Sequence, residues 1–506
     1  MRRAFFGLVL FCCISSLLFA QDPLKGFEEY AEDLRDRWEV PGVAVAVVKD
    51  GKVIYAKGFG FLRVGSDEPV DETTLFGMGS TTKAFVAAAL LMLAEEGKVD
   101  LDVPVVNYLP DFRLSDPEVT YQVTARDLLS HRVGFRNMEG DPAIGLGLDQ
   151  EALFGRLHHL PLTFAFRTQY GYSNLMYMVA GRLVEAVSGM SWNEFLEMRI
   201  FSPLGMEQSV ANLTLPERTG NVAASHYSLS AGISICGPEI DIAAVAPAGA
   251  IFSNVIEMAQ WVAMQLGNGK QLLSPESIVA SRKPETAIPL QVMRVGYPEL
   301  TDQSTPTYGL GWVLHDYRGR QIVEHAGLAP GYTVMVSMMP EENLGIIVAS
   351  NLWRSLLPAA LKLDLYDRML RVQEGRNWAK ELRATELALE TAKHRKEEEL
   401  AASRIKGTSP SLPLSAFAGT YTHPFYGPLE VFMENGRLEL VVGPARRQAT
   451  LSHWHYDTFR MVHKKLPLPP VFVTFETDAS GLVRATVDDL GVFSANPVDG
   501  IPDVRK

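Results

Sequence analysis

A serine and a lysine stand three residues apart in Phe76-Gly77-Met78-Gly79-Ser80-Thr81-Thr82-Lys83, which opens the apolar, alanine-rich run Ala84 to Leu91. On a helix that spacing puts both side chains on one face, one turn apart. A serine hydroxyl is a poor nucleophile until a neighbour takes its proton. A lysine buried in an apolar helix is destabilised in its charged form, which suits it to that task near neutral pH. The helix N-terminus adds a field that favours negative charge on the attacking oxygen. Ser-x-x-Lys alone is weak evidence, since ordinary residue usage produces it about once or twice in a chain this long. Ser403-Arg404-Ile405-Lys406 repeats the pattern in a charged stretch with no apolar helix behind it.

Two further groups strengthen the copy at Ser80. Tyr172, in Tyr170-Gly171-Tyr172-Ser173-Asn174, is the only one of sixteen tyrosines followed two positions later by asparagine. A phenol set between lysine and serine can pass a proton to a leaving group and then activate water, if nearby positive charge lowers its pKa. The Asn174 amide can hold both the lysine and a substrate carbonyl. The plainer reading is a core tyrosine beside a helix-capping serine or asparagine. The second group is Val323-Glu324-His325-Ala326-Gly327-Leu328, read as an edge strand just before the strand Gly331 to Met338. A glycine there lets a substrate backbone lie close, and the Leu328 amide could join that of Ser80 in an oxyanion hole. His325 reads equally as a surface histidine at a strand end. Arg218-Thr219-Gly220 is a rival triplet, but it follows Tyr172 too soon and has no strand pair after it.

The elements that must position these residues come from both ends of one unit. Val43 to Val48 and Val53 to Phe61 flank Asp50-Gly51, a hairpin signal, because that dipeptide tolerates the positive φ angles of a tight turn. A second hairpin joins Tyr332 to Met338 and Leu344 to Ser350. Between them the pattern is mostly helical, as in Ala84 to Glu96, Leu175 to Val187 and Ile256 to Leu266. The expected fold class is α+β: an antiparallel sheet flanked by helices, with a helical subdomain inserted. From about Tyr366 to Ile405 the chain turns charged and reads as a solvated helix or linker. Beyond Ser409-Pro410, hairpin signals at Asn435-Gly436 and Ser480-Gly481 predict a small all-β C-terminal barrel. The division read from these shifts is 1–20, 21–370, 371–410 and 411–506.

Composition limits what such a chain binds. With 506 residues, 47% hydrophobic and 21% charged, it is globular and long enough for two or more domains. Its net charge of -12 offers no basic surface to a phosphate backbone, so nucleic acid is not an expected partner. Arg2 and Arg3, the apolar stretch Ala4 to Leu18, and Ala20 before Gln21-Asp22 read as a cleaved export signal. The run is short against the roughly 20 residues of a membrane span, so no stable span is expected after cleavage. Cys12 and Cys13 fall inside that segment, leaving Cys236 alone and no internal disulfide. The sequon Asn212-Leu213-Thr214 matters only in a eukaryotic secretory pathway. Ser80 sits in no Gly-x-Ser-x-Gly elbow and His-Glu-x-x-His is absent. His131, His158 and His159 lack ligand spacing and read as loop or core residues, so neither a metal nor an organic cofactor is expected. The sequence sets no oligomeric state.

In the order Ser80-Lys83, Tyr172-Asn174, His325-Gly327, the chain resembles the penicillin-recognising serine hydrolases, specifically the class C β-lactamase-like family. The resemblance runs from about Phe27 to Asp367 and takes in Asp127-Leu128-Leu129-Ser130-His131, Pro247-Ala248-Gly249-Ala250 and Tyr308-Gly309-Leu310-Gly311-Trp312. Phe417-Ala418-Gly419-Thr420-Tyr421 is similar to the β-barrel accessory domain of some members. The resemblance implies a β-lactamase/transpeptidase-like fold and a small-molecule or peptide acyl substrate. It implies Ser80 as nucleophile, Lys83 and Tyr172 as acid-base pair and Asn174 as substrate ligand, with His325, Ala326, Gly327 and Leu328 as the strand that aligns substrate. Class C β-lactamases carry Lys-Thr-Gly where this chain has His325-Ala326-Gly327, which replaces a permanent cation by a group expected to be partly charged at pH 7. That moves the expectation from β-lactams toward esters or D-amino-acid peptides. The alternative is a non-catalytic envelope or extracellular binding protein on the same scaffold.

Overall fold

The hairpin at Asp50-Gly51 forms the edge of the main sheet. Strands β1 (Gly42–Lys49) and β2 (Lys52–Gly60) pair antiparallel, and Asp50 and Gly51 take φ of 52° and 74°, as a two-residue hairpin turn requires. Helix α1 (Phe27–Arg37) precedes them. The computed structural model describes residues 22–211, 220–228, 234–236, 241–293, 297, 299–301, 304–373, 375–464, 471–477, 483–488 and 490–495. The export-signal segment, the sequon at Asn212, Arg218-Thr219 of the rival triplet and the Ser480-Gly481 turn lie outside the described residues.

The helical insertion includes α2 (Thr82–Glu95), α3 (Asn174–Ser188) and α4 (Val255–Gln265). The chain then returns to the sheet through β3 (Thr286–Ala287), β4 (Thr307–Tyr308), β5 (Val313–Tyr317), β6 (Arg320–Ala329), β7 (Tyr332–Met339) and β8 (Leu344–Ser350). The eight strands run in the order β2-β1-β8-β7-β6-β5-β4-β3, which joins the two ends of the unit because β1 pairs with β8. Every residue of β1 except Lys49 is buried, since helices cover both faces. Val43, Val45 and Val47 pack with α1 and α5 (Leu357–Met369), while Ala44, Ala46 and Val48 join the core that contains α2 and α4. Small residues admit the α4 side closely: a Cβ on Gly345 of β8 would stand 2.2 Å from Val262.

Two expectations need correction. The charged segment does not begin at Tyr366. That residue is fully buried in α5 with its hydroxyl 2.7 Å from Ser337, and Asp367 accepts hydrogen bonds from Tyr317, Arg318 and Trp378. The exposed charged helix is α6 (Trp378–Ala402), anchored by buried Trp378, Ala379 and Leu382. Strand β6 is also not an edge strand along its length. Arg320 to Glu324 pair with β5 on one side, and only from His325 onward is that side unpaired, while Val323 to Ala329 pair with β7 on the other.

The C-terminal part is a closed barrel of eight strands: β9 (Gly419–His423), β10 (Gly427–Glu434), β11 (Arg437–Val442), β12 (Arg447–His455), β13 (Thr458–His463), β14 (Val471–Thr477), β15 (Val483–Val487) and β16 (Gly491–Ala495). Neighbours in sequence pair antiparallel and β9 closes on β16. Leu429, Val431, Leu440, Phe459, Val473, Phe475 and Phe493 are all buried, so side chains fill the barrel. Its turn at Gly443-Ala445 seats on the helical insertion. The Ala445 amide donates to the Leu146 carbonyl at 3.0 Å, and Arg447 Nε donates to the Gly145 carbonyl at 2.9 Å.

Candidate active site

Ser80 lies in a 3-10 turn, Gly79–Thr81, that runs straight into α2, where twelve of fourteen residues are buried. Lys83, one turn on, is completely buried. Its Nζ is 3.2 Å from Ser80 Oγ, 2.8 Å from Asn174 Oδ1 and 2.8 Å from the Ala248 carbonyl oxygen. Two carbonyl acceptors and one hydroxyl suit a neutral amine, which donates twice and offers its lone pair to the serine proton. Burial pushes the Lys83 pKa down to about 7, and the charge of Asp141 works against that fall.

Tyr172 reaches the same hydroxyl from the start of α3, where its phenol donates to Ser80 Oγ at 2.7 Å. Ser173 caps that helix by accepting from the Met176 amide, which fixes Tyr172 just outside the first turn and Asn174 just inside it. The Tyr172 ring packs at a tilt against buried His131, with centroids 4.3 Å apart, and Lys83 Nζ is 4.7 Å from its centre. The expectation that positive charge lowers the Tyr172 pKa does not hold. Burial raises it well beyond the ordinary phenol range, although the hydrogen bond to Ser80 acts in the other direction, so Tyr172 is a phenol at neutral pH.

His325 is 4% exposed rather than a surface residue. Its Nδ1 lies 2.7 Å from the Ala326 carbonyl, which can only accept, so the proton sits on Nδ1, and Nε2 accepts from the Tyr308 hydroxyl at 2.9 Å. Burial, and then Lys83, drive its pKa to about 3. The expected partial charge is therefore absent at pH 7. Gly327 also packs on the first motif: a Cβ there would stand 2.1 Å from the Met78 carbonyl oxygen. The glycine thus admits the turn that carries Ser80. Gly79 presses on Leu328 in the same way, with its Cβ direction 2.7 Å from the Leu328 backbone nitrogen. Leu328 is half exposed and Ala326 and Ser80 partly so, which leaves the serine at the mouth of the site and the lysine at its floor.

Several contributors had no role assigned from the sequence, although Ala248, Tyr308, Gly311 and His131 stand in segments of the family resemblance. Ala248 acts through its backbone carbonyl. Tyr308 supports His325, and Gly311, with φ of 80°, lets its segment touch the Lys83 backbone. His131, expected to be a loop or core residue, is buried and directly supports Tyr172, with burial holding its pKa well below the usual range. Asp141 accepts from Asn174 Nδ2 at 2.6 Å; nothing in its local sequence marks it out.

A second polar cluster lies on the opposite face of β6. Glu299, His315 and Glu324 bring possible ligand atoms within 4.8 Å of one another. The Lys362 ammonium sits among them, 2.9 Å from Glu299 Oε1 and 3.0 Å from Glu324 Oε2, so an ammonium supplies the positive charge a metal ion would bring.

The chain matches the Beta-lactamase family over residues 27–367 and a domain of unknown function, DUF3471, over residues 403–495. It is 30% identical to the unguisins hydrolase ungD' of Aspergillus campestris over 82% of this chain and 79% of that protein. It is 27% identical to penicillin-binding protein 4 of Amycolatopsis lactamdurans over 68% of this chain and 88% of that one. Among solved structures, the octameric penicillin-binding protein homologue from Pyrococcus abyssi aligns with a TM-score of 0.60 at 23% identity, covering 93% of this chain and 99% of that one. A class C beta lactamase from Rhodobacter sphaeroides aligns with a TM-score of 0.56 at 22% identity, covering 68% and 99%. No helix among the described residues is long and apolar enough to cross a membrane. With two thirds of its length matched by one family and the fold in agreement, this chain belongs to the beta-lactamase family.

Proposed function

We propose that the protein is a serine hydrolase that cleaves an ester or a D-amino-acid peptide through an acyl-enzyme on Ser80. The reading rests on one observation: the Ser80 hydroxyl lies 2.7 Å from a protonated phenol and 3.2 Å from a buried amine. Ser80 Oγ attacks the acyl carbon while its proton passes to Lys83 Nζ. The oxyanion takes hydrogen bonds from the Ser80 and Leu328 amides. As the intermediate collapses, Tyr172 gives its proton to the leaving group, and the Lys83 ammonium restores the phenol. Water then attacks the acyl carbon, and its second proton goes to Ser80 Oγ as the acid is released. Asn174 and the strand from His325 to Leu328 align the substrate.

A neutral His325 presents no cation to a substrate carboxylate, which favours uncharged acyl groups over β-lactams. The name of the 30% identical relative, a hydrolase of unguisins, agrees with hydrolysis. We further assign residues 1–20 to an export signal, 21–370 to the catalytic domain, 371–410 to a linker and 411–506 to an accessory barrel, with the mature protein periplasmic or secreted.

The test is hydrolysis of p-nitrophenyl butyrate, a D-alanyl dipeptide and nitrocefin by wild type and Ser80→Ala. Turnover of the ester or dipeptide above nitrocefin, lost in Ser80→Ala, is expected. Equal turnover in the variant overturns the assignment, and no turnover or acylation by wild type favours the binding-protein alternative.

A further inference from the structure

Asp141 lies outside the three motifs, yet it ends a continuous chain of contacts from the nucleophile. Ser80 Oγ meets Lys83 Nζ, Lys83 donates to Asn174 Oδ1, and Asn174 Nδ2 donates to Asp141 Oδ2. An amide has an accepting end and a donating end, so the acceptor at Asp141 decides which end faces the lysine. With Asp141 in place, Asn174 must turn its oxygen to Lys83. Without it, the amide is free to turn its NH2 toward the amine, donor against donor.

The loop that carries Asp141 is held from two sides. The Met138 amide donates to the Tyr172 carbonyl at 2.7 Å, and the Tyr172 amide donates to Asn137 Oδ1 at 2.8 Å. Gly140 packs so closely on Leu160, Leu175 and Phe425 of the barrel that a Cβ would come within 2.7 Å of the two leucines. Just beyond it, the barrel turn binds Gly145 and Leu146. Asp141 therefore cannot swing away, even though its Oδ1 is buried with no hydrogen-bond partner. Buried polar atoms are seldom left in that state.

Resting on the serine-hydrolase reading above, we propose that Asp141 is a positioning residue for Lys83: through Asn174 it orients the amine, and its negative charge supports the ammonium formed when Ser80 loses its proton. The other titratable groups facing Lys83 do not compete for this role. Tyr172, just before α3, and Tyr177, within it, are phenols held protonated by burial, while His131 and His325, from a loop and from β6, are held neutral by burial. Burial raises Asp141 itself to about 6, against the pull of Asn174 and Lys83, so it is charged in the range where the lysine works. Removing that charge lowers the Lys83 pKa and weakens the base.

The test is the rate at which a fluorophosphonate labels Ser80, measured against pH on the full chain. In wild type the rate rises through the Lys83 ionisation. In Asp141→Asn this acidic limb is expected to move down by about one pH unit while the plateau falls by on the order of tenfold; Asp141→Glu restores the limb. Asn174→Ala breaks the bridge without touching Asp141, and it should move the limb likewise if Asp141→Asn does not fold. A lower plateau with the limb unmoved gives Asp141 a merely structural role and overturns the proposal alone. A wild type that takes no label at Ser80 overturns the serine-hydrolase reading itself.

Discussion

Gly327 and Met78 are packed so closely that a single methyl group on residue 327 would stand 2.1 Å from the Met78 carbonyl oxygen. The third motif thus buttresses the first: β6 presses on the turn that aims Ser80. Gly327→Val is expected to displace that turn and lower kcat/KM by about 100-fold, the cost of a misplacement near 1 Å, in a protein that remains folded by circular dichroism. Wild-type turnover would show that strand and turn can part without consequence.

Much of this was legible in the sequence, and the limits follow from the physics. Asp50-Gly51, the alanine-rich run after Lys83 and the turn signal at Asn435-Gly436 are local signals, and they pointed to the hairpin, the buried helix and the all-β end. The Ser80-Lys83 pair was readable because helical geometry alone brings i and i+3 together. The charge states were not. His325 loses its charge and Tyr172 keeps its proton because of burial, which depends on residues far away in the chain, such as Tyr308 and His131. Asp141 was invisible for a related reason: its partner Asn174 is 33 residues away and a loop, not a periodic element, carries it.

Lys83 sets both a pH dependence and a stability cost. Activity should rise with pH through about 7 as the ammonium becomes a base. Because the folded pKa lies below the ordinary 10.5, the unfolded state binds the proton more tightly, so this residue destabilises the fold at neutral pH. Stability is regained as pH climbs from about 7 toward 10.5. Lys83→Met should lose at least about 10³-fold in activity while its thermal midpoint at neutral pH holds or rises. Urea denaturation of both proteins should find their difference shrinking at high pH; a constant difference would count against a neutral buried amine.

Tyr172→Phe keeps the ring against His131 but deletes the donor to Ser80. The expected loss in kcat is about 10²- to 10⁴-fold, with the acidic limb set by Lys83 still present. Since burial keeps the phenol protonated, wild type should show no alkaline fall from this residue below the ordinary tyrosine range. Stopped-flow or steady-state pH profiles check both points.

Lys362 holds two buried carboxylates on the far face of β6, so Lys362→Met should destabilise the protein by about 3–5 kcal/mol. Burial alone would raise Glu324, but Lys362, His315 and Ser337 outweigh it and hold the carboxyl at about 2. Its contribution is therefore present above the ordinary carboxylate value and lost as pH falls toward about 2. Chemical denaturation at neutral and acid pH measures the difference, which should narrow on acidification.

Intact-mass and peptide mapping of protein quenched during turnover of p-nitrophenyl butyrate addresses the covalent step directly. The expected result is a butyryl adduct on Ser80 in wild type, absent from Ser80→Ala. Efficient hydrolysis by wild type with no adduct on Ser80, or an adduct on another residue, would contradict it.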